Sequence, residues 1–206
     1  MYVPKPFLIE DRSAQHDLID ANPLGIMIRV EEDQPRLAHI PFVLDREVGT
    51  LGRLRCHVAR ANPLWETIEA DARVTIAFQG AESYISPDWY ETRTLVPTWN
   101  YEAVEAQGQA RIMSAEDTYA LIVDLSAQEE EKLRPKSPWK IEKVPEKQAQ
   151  ALLRAIVGIE IDLTELTGKR KMSQNRSAED RAGVASALRL LGGDASEAVA
   201  DLINPS

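Results

Sequence analysis

Cys56 is the only cysteine in the 206 residues. No intramolecular disulfide can form, and a reducing compartment, the cytoplasm, is the expectation. Long apolar runs are missing too. Nothing approaches the roughly 20 residues that a spanning helix needs, so no membrane span is expected. The opening Met1-Tyr2-Val3-Pro4-Lys5-Pro6 has no charged region leading into an apolar one, and no signal peptide is expected. No Gly-x-Gly-x-x-Gly or P-loop occurs, which leaves Rossmann and NTPase readings without support. Positive charge is scarce: 24 Lys and Arg stand against 33 Asp and Glu, for a net charge of −9. Nucleic-acid binders usually gather a basic excess, because phosphate contacts supply most of their non-specific affinity. One local exception is Gly168-Lys169-Arg170-Lys171-Met172-Ser173-Gln174-Asn175-Arg176, which suits either a phosphate or plain solvent.

What is present is ordinary globular material. Hydrophobic residues make up 44% of the chain, enough for a sizeable core, and the length suits one domain with a helical appendage. A short helix is expected over 11–21, stopped by Asn22-Pro23. Leu24 to Val30 suits a buried strand. In 37–44, Ala38, Ile40, Phe42 and Leu44 alternate with His39, Pro41 and Val43. In 51–58, Leu54, Cys56 and Val58 alternate with Arg53, Arg55 and His57. Cys56 is expected as a buried structural thiol. Val74, Ile76 and Phe78 mark a third alternating strand, and 98–112 supplies one or two more. Asn62-Pro63 predicts a helix start, with the helix running to about Glu69. Ser114 caps another helix, with Glu116 and Asp117 in its first turn. Residues 128–143 read as a charged, proline-broken connector, and 156–163 as a strand. Two helices close the chain. Ser177-Ala178-Glu179-Asp180 starts one, which ends at Gly192-Gly193. A capping box at Asp194-Ala195-Ser196-Glu197 starts the other, closed by Pro205. Short strands joined by turns predict an antiparallel α+β barrel decorated by helices.

Four segments carry polar and aromatic residues that a plain core does not need: 38–42, 56–65, 78–90 and 96–101. His39 and His57 lie on the non-core faces of their strands and share a surface if those strands pair. Two histidines without a matching thiol or carboxylate do not make a metal set. Trp89, Tyr90, Trp99 and Tyr101 suit a barrel plug or dimer interface, and equally a wall for a flat heteroaromatic ligand. Free N–H groups at the Asn62-Pro63 helix start favour an anion. Lys171 to Arg176 offers a cation, a hydroxyl, two amides and a guanidinium for a phosphate. No nucleophile with a paired base is recognisable.

These segments, in this order, resemble the PaiB-type FMN-binding negative transcriptional regulators. The resemblance is carried by Met1-Tyr2-Val3-Pro4 with Phe7, His39-Ile40-Pro41-Phe42, and His57 with Asn62-Pro63 and Trp65. It continues through Phe78-Gln79-Gly80, Tyr84-Ile85-Ser86-Pro87, Trp89-Tyr90 and Val96-Pro97-Thr98-Trp99-Asn100-Tyr101. Ile156-Val157-Gly158 and Ser173-Gln174-Asn175-Arg176 complete it. It covers nearly the whole chain, departs in 128–147 and after Ala182, and leaves the pocket motifs intact. It implies an antiparallel split β-barrel with peripheral and C-terminal helices, related to flavin reductases and pyridoxamine-phosphate oxidases, and a homodimer with FMN at the subunit interface. On that footing residues 1–168 form the FMN-binding domain with inserted helices. Residues 169–206 form a basic loop and helical tail packed on it. His57, Asn62, Lys171, Ser173, Gln174 and Arg176 are expected at the phosphate and ribityl chain, and His39, Tyr84, Trp99 and Asn100 around the ring. The resemblance also implies transcriptional repression. The acidic charge and the few cations after Ser177, Arg181 and Arg189, keep open an NAD(P)H-dependent flavin oxidoreductase, or a barrel that lost its cofactor.

Overall fold

A computed structural model describes residues 1–31, 33–68 and 72–204. Along the chain run β1 (Leu8–Ile9), α1 (Arg12–Ala21), β2 (Leu24–Glu31), β3 (Gln34–Pro41), β4 (Val43–Asp45) and β5 (Arg53–Ala59). Then come α2 (Leu64–Ile68), β6 (Arg73–Ile85), β7 (Thr98–Ile112), α3 (Ala115–Glu131) and α4 (Glu146–Arg154). The chain closes with β8 (Ile156–Lys171), α5 (Ala178–Leu191) and α6 (Asp194–Ile203). Eight strands make one sheet in the order β3-β2-β6-β7-β8-β5-β4, with β1 on β8. The α+β expectation holds. Among the described residues no helix is long and apolar enough to cross a membrane.

The chain divides into two compact units, through both of which β6, β7 and β8 run. The first holds residues 1–21, 79–105 and 167–206, and the second holds 22–78 and 106–166. In the second unit the expected alternation builds the core. Leu54, Cys56 and Val58 point inward from β5, and Val74, Ile76 and Phe78 from β6. Phe42 meets Phe78 edge to face, with centroids 5.4 Å apart. Gly25 passes beneath them, where a β-carbon would lie 2.7 Å from the Phe78 ring. Phe42 and Val43 are both buried, so the alternation expected through 37–44 breaks at the junction of β3 and β4. Cys56 is fully buried, and burial raises its thiol pKa far above the ordinary range.

In the first unit, α5 and α6 pack Val184, Ala185, Leu188, Val199, Ala200 and Ile203 against Ile85, Tyr90 and Met172. Ser177 caps α5 by accepting from the Asp180 N–H at 3.1 Å. Gly183 lets α5 approach the turn at 87–89: a β-carbon there would lie 2.4 Å from the Trp89 carbonyl oxygen. Alanine would gain about 1 kcal/mol of helix propensity. Overpacking against a backbone atom costs about 1–3 kcal/mol. Gly183→Ala is therefore expected to lower the urea midpoint of unfolding, and a raised midpoint would show that the turn yields freely.

Several boundaries differ from expectation. β6 continues to Ile85, although Gln79 to Ser83 lacks apolar alternation, because a sheet partner sustains a strand that propensity does not. Residues 98–112 form one strand of 15 residues. α3 extends into the expected connector to Glu131, where Glu129–Lys132 and Glu131–Arg134 pairs support its end. The capping box at Asp194 does not form. Gly192 and Gly193, at φ 73° and 90°, turn the chain so that Gly193 is the N-cap and Asp194 is already helical. The basic segment begins as strand, since β8 reaches Lys171. Glu69 and Pro205, the expected ends of two helices, lie outside the described residues.

Candidate functional site

The ten residues expected at the site fall in both units. Tyr84, Trp99, Asn100, Lys171, Ser173, Gln174 and Arg176 belong to the first; His39, His57 and Asn62 belong to the second.

In the first unit, the start of β7, the end of β8 and the turn 172–176 enclose a cavity of about 110 Å³. Its wall includes Thr98, Asn100, Lys171, Ser173 and Arg176, together with Tyr90 and Asn175. Lys171 donates from Nζ to Thr98 Oγ1. Burial lowers its ammonium pKa, and the nearby Lys169 and Arg176 charges push the same way against an opposing effect of Tyr101. The Arg176 guanidinium lies over the Tyr90 ring, 5.8 Å from its centroid. Among the described residues neither Lys171 nor Arg176 has a carboxylate partner, and no carboxylate lines the cavity. By contrast Arg170, next to Lys171 in sequence, is paired with Glu102.

Asn100 is 1% exposed. Its Nδ2 donates to Ser173 Oγ at 2.9 Å, while its buried Oδ1 has no hydrogen-bond partner among the described residues. Ser173 holds φ at 56°, a left-handed conformation that a serine adopts rarely, and this turns the chain back over the cavity. Gln174 serves the turn itself: its Oε1 accepts from the Met172 N–H at 2.6 Å. Tyr84 and Trp99 meet edge to face with centroids 6.0 Å apart, and both are exposed. Thr98, Tyr90, Phe7 and Asn175 also line the cavity. All four stand inside the family-like motifs but are not among the ten residues expected at the site. Thr98 precedes the selected Trp99, but its role depends on the Lys171 pairing across strands.

In the second unit, His57 sits opposite Gly158 on β8, and His39 opposite Ile26 on β2. β3 and β5 are not neighbours in the sheet order, so the strand pairing on which a shared histidine surface depended is not there. His57 Nδ1 is buried with no hydrogen-bond partner among the described residues, and burial lowers the imidazole pKa. Asn62 Oδ1 accepts from the Leu64 N–H at 3.0 Å, ahead of a helix of five residues.

The second unit also leaves an apolar sheet face uncovered. Leu24, Ile26, Ile28 and Val30 alternate outward from β2, opposite Pro41, His39, Leu37 and Pro35 of β3. Leu24, Val30 and Leu37 are 63%, 69% and 58% exposed. Such a face on one sheet exceeds the scattered apolar residues that surfaces normally show.

An antiparallel eight-stranded sheet of this order, decorated by helices, has the split-barrel fold. Two solved structures share the fold. The conserved hypothetical protein Rv2991 from Mycobacterium tuberculosis superposes with a TM-score of 0.60 at 12% identity, covering 86% of this chain and 94% of that one. The FAD and heme binding protein from Mycobacterium smegmatis gives 0.58 at 13% identity, covering 80% and 73%. The family model described as "Putative FMN-binding domain" matches residues 1–165, and the chain belongs to that family. Protease synthase and sporulation protein PAI 2 of Bacillus subtilis is 32% identical over 189 residues, spanning 92% of this chain and 89% of that protein. "Uncharacterized protein AN0679" of Emericella nidulans is 34% identical over 229 residues, spanning 93% and 91%. The PaiB-type resemblance is thus established, and FMN is the family's cofactor.

Proposed function

We propose that the chain is a cytoplasmic FMN-binding homodimer whose first-unit cavity holds the phosphate end of the cofactor. The observation that carries this reading is a pair of cations, Lys171 and Arg176, lining one cavity with no carboxylate. At about 110 Å³ the cavity falls below the about 300–1,000 Å³ of sites that enclose a whole ligand. It suits a terminal group. Arg176 offers a forked donor set, Lys171 a point charge, and Thr98 and Ser173 hydroxyls. The unpaired Asn100 Oδ1 accepts a hydrogen bond from a ribityl hydroxyl. Tyr84 and Trp99 offer exposed ring faces to the flat part of the molecule. Bound FMN supplies electron-transfer chemistry at its ring; the chain supplies binding and orientation. The roles of His39, His57, Asn62 and Gln174 remain proposals from the resemblance. The homodimer forms through the apolar face of β2 and β3.

A flavin titration followed by absorbance and fluorescence tests the reading. FMN is expected to bind more tightly than riboflavin. Arg176→Ala is expected to weaken FMN by about 10-fold or more, the worth of a hydrogen bond to a charged group. Unchanged FMN affinity in this variant would remove the phosphate role.

Regulation stands second. The Bacillus relative is named for protease synthesis and sporulation, which favours a regulatory role. Direct DNA contact has little to draw on in the helix pair α5 and α6, because Arg189 is engaged with Asp201 at 2.8 Å and the Asn204 carbonyl at 2.9 Å. Salt-sensitive retention of DNA favours the regulator; turnover of a nicotinamide favours an oxidoreductase.

A further inference from the structure

A second cavity, of about 330 Å³, lies wholly within the second unit. It is within the about 300–1,000 Å³ range of small-molecule sites. It shares no lining residue with the first-unit cavity. Its wall is largely apolar, with Trp65, Met113, Leu153 and Val157 contributing. Two arginines, Arg60 and Arg154, also line it, and among the described residues no carboxylate does. Among the described residues neither arginine has a carboxylate partner. Two cations that no described carboxylate neutralises stand out in a chain of net charge −9.

Arg60 is held in place. Arg60 Nε donates to the Arg154 carbonyl at 2.8 Å and its Nη2 to the Ile156 carbonyl at 2.9 Å. Its guanidinium lies 5.8 Å from the Trp65 ring centroid. The Trp65 indole donates to the Arg60 carbonyl at 3.0 Å. α4, which carries Leu153 and Arg154, is the second observation. It is amphipathic, yet none of its residues is buried, and Leu153 also lines a further cavity on Tyr119, Ile141 and Val144. An amphipathic helix normally buries its apolar stripe. Here the stripe borders open space on both sides of Leu153.

We propose that this cavity binds a small amphiphilic carboxylic acid, with its apolar body against Trp65, Met113 and Leu153 and its carboxylate on Arg60 and Arg154. A bound body would complete the burial that α4 lacks. The charge pattern sets the class: cations without counter-charge call for an anion, and an apolar wall excludes a fully polar one.

The test is a titration of the full-length protein with octanoate and, separately, octanol, followed by calorimetry and tryptophan fluorescence, with and without saturating FMN. Octanoate is expected to bind about 10-fold or more tightly than octanol, as a charge-assisted contact requires. Arg154→Gln, at an exposed position, is expected to erase that preference while leaving the circular dichroism spectrum intact. Leu153→Asp is expected to weaken both probes. Equal binding of acid and alcohol, no binding, or an unchanged preference in Arg154→Gln would overturn the proposal. So would one-for-one displacement of octanoate by FMN, which would assign the cavity to the flavin instead. If FMN fails to bind at all, the octanoate result still stands or falls alone.

Discussion

Replacing Lys171 with glutamate is expected to lower FMN affinity by about two to three orders of magnitude while changing riboflavin binding by less than about threefold. The estimate has two parts. Loss of a hydrogen bond to a charged group costs about 1.5–3 kcal/mol, or roughly 10- to 100-fold. The new carboxylate then repels the phosphate. Two unit charges 4 Å apart interact by about 4 kcal/mol at an effective dielectric of 20, and the half-buried position and salt reduce this by more than half. Folding is not expected to suffer, because the new carboxylate gains Lys169 and Arg176 as neighbours where the native ammonium was repelled by them. Riboflavin lacks the phosphate and serves as the internal control. Parallel fluorescence titrations with both flavins decide the matter. Equal losses for both would mean that Lys171 supports the ring or the fold, and the phosphate assignment would fail.

Leu37→Asp is expected to convert the proposed homodimer to monomer at micromolar concentration. Leu37 lies on β3 opposite Ile28, in the centre of the uncovered face, and is 58% exposed. The isolated chain therefore loses little by the change. In a two-fold interface the same residue enters twice, so every substitution acts in duplicate. Burying one leucine contributes about 1.5–3 kcal/mol. Two together give about 3–6 kcal/mol, and two unpaired carboxylates add a desolvation cost on top. The dissociation constant is expected to rise by at least about 1,000-fold. Sedimentation over a concentration series reads this directly. A wild-type chain that stays monomeric throughout, or a variant that still dimerises, would remove this face from the interface.

Both substitutions rest on features that the sequence showed unequally. The core of the second unit was legible because period-two alternation is a local signal: Leu54, Cys56 and Val58 on β5 turned out as read. Ser114 and Ser177 cap α3 and α5 as expected, since a cap and its first turn are contiguous in sequence. α4 was overlooked, although Glu146 in its first turn and Arg154 in its last fit the helix dipole. Its scattered charges masked a narrow apolar stripe. Motif resemblance brought Asn100, Lys171, Ser173 and Arg176 together, and the cavity they share follows from strand pairing that no local pattern reports. The uncovered face was hidden for a different reason. Leu24 to Val30 reads as a buried strand, and only the burial pattern along β2 shows that Leu24 and Val30 stay exposed on one face.

The interleaving of the two units governs what can be learned from truncated chains. The family's matched region stops at residue 165, whereas the first unit resumes at Thr167. A fragment ending there keeps the whole family-matched region yet lacks Lys171, Ser173 and Arg176, along with the helices that pack on Tyr90. Its loss of flavin would say nothing against the family's chemistry. A flavin titration of such a fragment would separate the part played by the matched region from that of the proposed phosphate site.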